Sequence, residues 1–91
     1  MRISEVIISA ETETHIWAKH HVTPEEVEEA CAGDPLVLRG REDGYAVYGR
    51  TDTGRYLIVF LYPRGQGVFA LATARSMEDR ERRRYQDAKE R

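Results

Sequence analysis

Tyr56-Leu57-Ile58-Val59-Phe60-Leu61-Tyr62 is the stretch whose reading decides the fold of this 91-residue chain. Its unbroken apolar character marks a strand covered on both faces, and therefore a central one. Downstream, Arg64-Gly65-Gln66-Gly67 reads as a turn and Gly67 to Thr73 as the strand that returns beside it. Upstream, Leu36 to Arg39 and Tyr45 to Gly49 are short apolar runs, with the turn signals Asp43-Gly44 and Thr51-Asp52-Thr53-Gly54 between the strands. Runs of this length, separated by such turns, make an antiparallel sheet of about four strands, with Arg55 to Tyr62 as the third.

Helices flank that meander. Val6 to Ser9 reads as a short first strand. Glu11 to His20 lacks Gly and Pro and gathers Ile16, Trp17 and His20 on one helical side, which places Trp17 in the core or at its rim. Thr23-Pro24-Glu25-Glu26 is a sharper signal. Thr23 caps the amide of Glu26, Pro24 suits the first helical position, and Glu26 reaches back to close the box. Val27, Ala30 and Cys31 then share a buried face, and Gly33-Asp34-Pro35 stops the helix. At the other end, Ala74-Arg75-Ser76-Met77 leads into a helix starting near Met77, with Ser76 as its cap. The expected architecture is α+β: two N-terminal helices, the sheet, and a basic C-terminal helix, in one domain spanning 1–91.

Composition narrows the function classes. Hydrophobic residues make up 41% and charged residues 33%, the balance of a folded globular chain rather than a disordered one. The longest apolar run is too short to cross a bilayer, and the N-terminus lacks the organisation of a signal peptide, so the expected location is cytoplasmic, with no membrane partner. Lone Cys31 excludes an internal disulfide and a cysteine zinc site, and its apolar neighbours predict an inert thiol. The histidines lack the spacing of a metal site, and Gly65-Gln66-Gly67 precedes a strand rather than a helix, so neither a metal nor a nucleotide cofactor is expected. The net charge of -2 hides a division. Residues 1 to 49 hold four Lys/Arg against ten Asp/Glu, a balance of -6; residues 50 to 91 hold ten against six, a balance of +4. The basic half suits a polyanion.

The last helix carries most of that charge. Glu78 with Arg82 and Asp79 with Arg83 are spaced as i, i+4 ion pairs. Arg80 and Arg84 stand four apart as like charges, and an external anion would relieve their repulsion. Arg75, at the end of the last strand, is positioned to share a concave floor with Arg64 from the preceding turn and Tyr85 from the helix. If these groups converge, RNA cleavage without a metal is chemically reasonable. A base takes the ribose 2′-hydroxyl proton, arginines stabilise the charge on phosphorus, and an acid protonates the leaving oxygen. Tyr85, Lys19, His15, His20 and His21 are the candidate proton carriers, with Tyr85 or His20 the expected one. Each has a plainer reading as well: His20 as a helix-end residue bonded to a carbonyl, Lys19 as a snorkelling side chain, Tyr85 as the anchor of the last helix, and the arginines as a solvated face.

Three segments, weak singly, gain weight from their order and spacing. They are Lys19-His20-His21-Val22-Thr23-Pro24-Glu25-Glu26-Val27-Glu28-Glu29-Ala30, then Asp34-Pro35, then Ala74-Arg75 with Glu81-Arg82-Arg83-Arg84-Tyr85. Over roughly residues 14 to 86 the chain resembles the BrnT toxins, part of the wider RelE-like group. The resemblance implies a compact α+β ribonuclease toxin that cleaves RNA without a metal and is restrained by a cognate antitoxin protein, with homo- or hetero-oligomers as the expected assembly. By position, Lys19 and His20 match the family's Lys-His pair, Arg75 the arginine ending its last strand, and Glu81, Arg82 and Tyr85 its helix motif. His21 stands where a glycine is common, so the first helix is expected to end differently, and the family's Trp-Asp opening is not recognisable before Lys19. A module of the same fold that binds RNA or protein without cutting is the alternative reading.

Overall fold

In a computed structural model that describes residues 1 to 90, the chain forms β1 (Glu5–Ile7), α1 (Ala10–His20), α2 (Pro24–Cys31), β2 (Leu36–Arg39), β3 (Tyr45–Arg50), β4 (Tyr56–Gly65), β5 (Val68–Ser76) and α3 (Asp79–Lys89). The five strands make one sheet in the order β1-β5-β4-β3-β2. Strands β2 to β5 form the expected antiparallel meander, with β4 between β3 and β5. The difference lies at the other edge. There β1 joins β5 in parallel, Glu5 opposite Val68 and Ile7 opposite Ala70, so the sheet is mixed.

The apolar run of β4 is buried on both sides because the sheet carries helices on both faces. Leu57, Val59 and Leu61 enter a core with Ile16 of α1, Val27 and Ala30 of α2, and Val47 of β3. Ile58 points the opposite way, into a smaller cluster with Tyr48 of β3 and Tyr85 of α3. The close approach of α2 requires Gly49, where an added Cβ would lie 2.7 Å from the carbonyl carbon of Ala30. At the start of α2 the capping box is complete, with Glu26 N to Thr23 Oγ1 at 3.1 Å and Thr23 N to Glu26 Oε1 at 3.0 Å.

Local expectations fail in four places. Trp17 is 54% exposed, because Ile16 takes the core position and the next residue turns about 100° away from it. Its ring meets His21 edge-on at 5.0 Å. His21 itself adopts the left-handed conformation of a glycine cap, φ 53°, and donates its N–H to carbonyls of the last turn. The first helix thus closes in the way the glycine would have closed it. The N-cap of α3 is Glu78 rather than Ser76, since β5 continues to Ser76 and the chain needs two more residues to turn. Arg82 is not paired with Glu78, nor Arg83 with Asp79, among the described residues; Arg82 lies over the Tyr56 ring at 4.2 Å.

Candidate anion site at the end of the sheet

A bulge decides where Arg75 points. Along β5, Phe69 and Leu71 face the α1–α2 core, as does Ala74, so the alternation changes phase between them. The register shows the cause: Leu71 pairs with Leu61 and Thr73 with Phe60, leaving Ala72 as an extra residue. Thr73 and Arg75 are thereby turned onto the face that carries α3. A regular strand would have aimed Arg75 at the core.

On that face Arg75 is tied to the first turn of α3. Its Nη1 and Nη2 donate to Oε1 and Oε2 of Glu81 at 2.9 and 3.0 Å. Glu81 Oε1 also accepts the Glu78 N–H at 2.8 Å, so the carboxylate sits among helix N-terminal amides as well as on the guanidinium. The Arg75 hydrogen bond is the main reason its carboxyl is held below the usual carboxylate range. Beneath, the Arg75 guanidinium lies 5.5 Å from the Phe60 ring centroid.

Because β1 pairs only with Val68 to Ala70, the remainder of β5 has β4 on one side and no strand on its outer edge, and α1 packs against β5. This brings the end of α1 to the end of β5. His20 is held below the ordinary histidine value, first by burial and then by the charges of His15, Arg75, Lys19 and Arg55. A ring that stays neutral near pH 7 accepts a proton readily. Arg55 fixes the junction. It donates to the carbonyls of His20 and His21, both at 2.7 Å, to the Glu26 carboxylate at 3.2 Å and to Ser76 Oγ at 3.3 Å. No sequence signal singled out Arg55, because its carbonyl partners lie 34 and 35 residues away.

The expected convergence is only partly realised. The charges of Arg75 and Lys19 both act on His20. Arg64 is not among them: it is the extra residue of a second register shift at the β4–β5 turn, whereas Arg75 lies opposite Ile58. Six residues of strand separate the two positions, roughly 20 Å. Tyr85 is buried against Tyr48 and Ile58 and meets Tyr56 edge-on at 5.8 Å, and burial pushes its hydroxyl up. The charges acting on it are those of Glu90, Arg50 and Asp34, not Arg75. Arg80, Arg82, Arg83 and Arg84 are all exposed along α3. Cys31 is buried and its thiol pushed up to about 12, an unreactive state. No described cluster of His, Cys, Asp and Glu is arranged to hold a metal ion, and no described helix is long and apolar enough to cross a membrane.

A mixed sheet with two helices on one face and a basic helix on the other, the last strand ending in an arginine, defines a small α+β class. Within it, the chain has the fold of a solved ribonuclease toxin: the crystal structure of Brucella abortus BrnT superposes with a TM-score of 0.65 at 16% identity, covering 82% of this chain and 97% of that one. No protein-family model and no curated protein matches the sequence.

Proposed function

We propose that the protein is an endoribonuclease toxin of a type II toxin–antitoxin pair, acting in the cytoplasm and cleaving RNA with side chains alone. The observation that carries this reading is the bulge that turns the Arg75 guanidinium onto the α3 face, where its charge helps to hold His20 below the ordinary histidine value. The fold shared with BrnT supports it. His20 takes the 2′-hydroxyl proton, the 2′-oxygen forms a bond to phosphorus, and the phosphorus–O5′ bond breaks. The products are a 2′,3′-cyclic phosphate and a 5′-hydroxyl, whose oxygen receives its proton from Lys19. Arg75 stabilises the charge on the non-bridging oxygens. Arg80, Arg82, Arg83 and Arg84 hold the RNA backbone, and the antitoxin covers the same basic face.

One observation favours the non-cutting alternative: Glu81 already engages both terminal nitrogens of Arg75. Incubation with RNA in the presence of chelator, comparing the native protein with Arg75→Ala, separates the readings. Cleavage that falls about a hundredfold or more in the variant supports catalysis. Undiminished cleavage rejects Arg75 as a catalytic residue, and none by either protein favours binding. Co-purification with the product of the neighbouring reading frame tests the antitoxin.

A further inference from the structure

Helix α3 covers only the end of its sheet face. Next to Arg75 the uncovered part is a cavity of about 630 Å³, within the range of small-ligand sites and ample for a nucleotide. Its floor is apolar, from Ala46, Phe60 and Ala72, and three arginines, Arg39, Arg41 and Arg75, stand around it. Tyr62 forms one wall, lying so close to the β2–β3 turn that a Cβ on Gly44 would come within 2.9 Å of its ring. Thr73 adds a second, independent observation. Its Oγ1 is the one buried side-chain polar atom among the described residues with no hydrogen-bond partner, and Thr73 lines this cavity. An unpaired buried hydroxyl is a cost to the fold that an occupant with a hydrogen-bonding edge would remove.

We infer that this cavity seats a nucleobase of the bound RNA next to the phosphate held by Arg75, and that Thr73 helps to choose the base. The inference rests on the ribonuclease reading above and specifies its substrate. A base is the occupant with both properties the cavity asks for: a flat apolar face for the aromatic and alanine floor, and a polar edge for a single hydroxyl. Its backbone supplies an anion for Arg39 and Arg41, and one that competes with Glu81 for Arg75. The hydroxyl is shielded from water, so contact requires the Thr73 side chain to turn toward the cavity, a rotamer change of the kind common on binding. The bulge at Ala72 serves both sites, since the same phase change turns Thr73 and Arg75 onto this face.

The test titrates the four nucleoside 5′-monophosphates, ribose 5-phosphate and an acidic peptide into the protein, following backbone amides by NMR. The expected result is base-dependent shifts at Ala46, Phe60 and Thr73, with nucleotide affinity at least about tenfold above that of ribose 5-phosphate. Ala72→Leu, at an exposed position on the floor, should abolish that difference and leave ribose phosphate binding unchanged. Thr73→Val should raise the thermal midpoint and reduce the spread of affinities among the four bases. Equal binding of ribose 5-phosphate and nucleotides, or shifts produced by the peptide alone, would overturn the inference. Undiminished RNA cleavage with unaltered base preference in Ala72→Leu would sink the base site and leave the ribonuclease reading intact.

Discussion

Glu81 and Arg75 form a two-pronged ion pair, with nitrogen to oxygen distances of 2.9 and 3.0 Å, that fastens the last strand to the first turn of the last helix. A carboxylate here occupies the donors a phosphate would use. In the proposed ribonuclease, Glu81 would therefore both orient the guanidinium and compete with the RNA phosphate. Replacement by Gln separates these effects, keeping shape and one acceptor while removing the charge. We expect Glu81→Gln to lower KM for RNA several-fold and kcat by about tenfold, since the arginine becomes more available but less well aimed. A change in neither quantity would reduce Glu81 to a tether for α3. The same variant should be less stable by about 1 kcal/mol at neutral pH, the scale of a partly exposed pair. Glu81 is depressed in the folded state, so its contribution is fully present above the unfolded carboxylate value near 4.5 and is lost as pH falls through the lower folded value. Denaturant midpoints measured from pH 6 to pH 3 should show that loss in the native protein and not in Glu81→Gln.

Much of this scaffold was legible because the signals are local. Thr23 to Glu26 specifies a helix start within four residues, and the apolar run of β4 announces a central strand. What was not legible depends on distant partners or on phase. The sequence from Ala70 to Arg75 places alanine at every second position, 70, 72 and 74, so side-chain size does not reveal that the alternation slips at Ala72. The face of Arg75 follows from that slip alone. Arg64 looked like its companion because both are arginines near strand ends, but antiparallel pairing puts those ends at opposite limits of the hairpin. Strand β1 is three residues long and pairs in parallel with a segment more than sixty positions later, a pairing that no turn signal marks.

Gly49 offers a test of the packing between α2 and the sheet. A methyl group there meets the backbone of Ala30, not a flexible side chain, so relief requires α2 to move. Gly49→Ala should destabilise by about 1 to 3 kcal/mol, the range for overpacked cores, and lower the thermal midpoint accordingly. An unchanged midpoint would mean that α2 is not held against β3 as closely as the structure places it.

Arg55 is the bracket between the two halves of the site. It gathers two helix-end carbonyls, a carboxylate and a hydroxyl around one planar group, a geometry that an ammonium does not reproduce. Arg55→Lys and Arg55→Ala should both cost about 1.5 to 3 kcal/mol, read from denaturant midpoints. If Arg55 positions His20, cleavage should fall through kcat while KM stays near its native value. Full recovery by lysine would show that charge, rather than the fork, is what the junction needs.

His20 connects the charge distribution to the pH profile. Burial is the first cause of its lowered value, and the neighbouring cations, Arg75 among them, push in the same direction. In the folded state the ring therefore loses its proton below the ordinary 6.5, so a reaction that uses it as base should gain activity with rising pH along a limb centred below that value. The stability consequence has the same sign. Between the unfolded value near 6.5 and the lower folded one, the unfolded chain binds the extra proton, so stability declines as pH falls through that interval and is flat above it. Arg75→Ala removes one repelling cation and should move the His20 titration, followed by NMR of the imidazole, upward toward 6.5 without reaching it, since burial remains. A His20 titration unmoved by that substitution would show that guanidinium and imidazole do not sense each other, and the proton-transfer role assigned to His20 would fall with it.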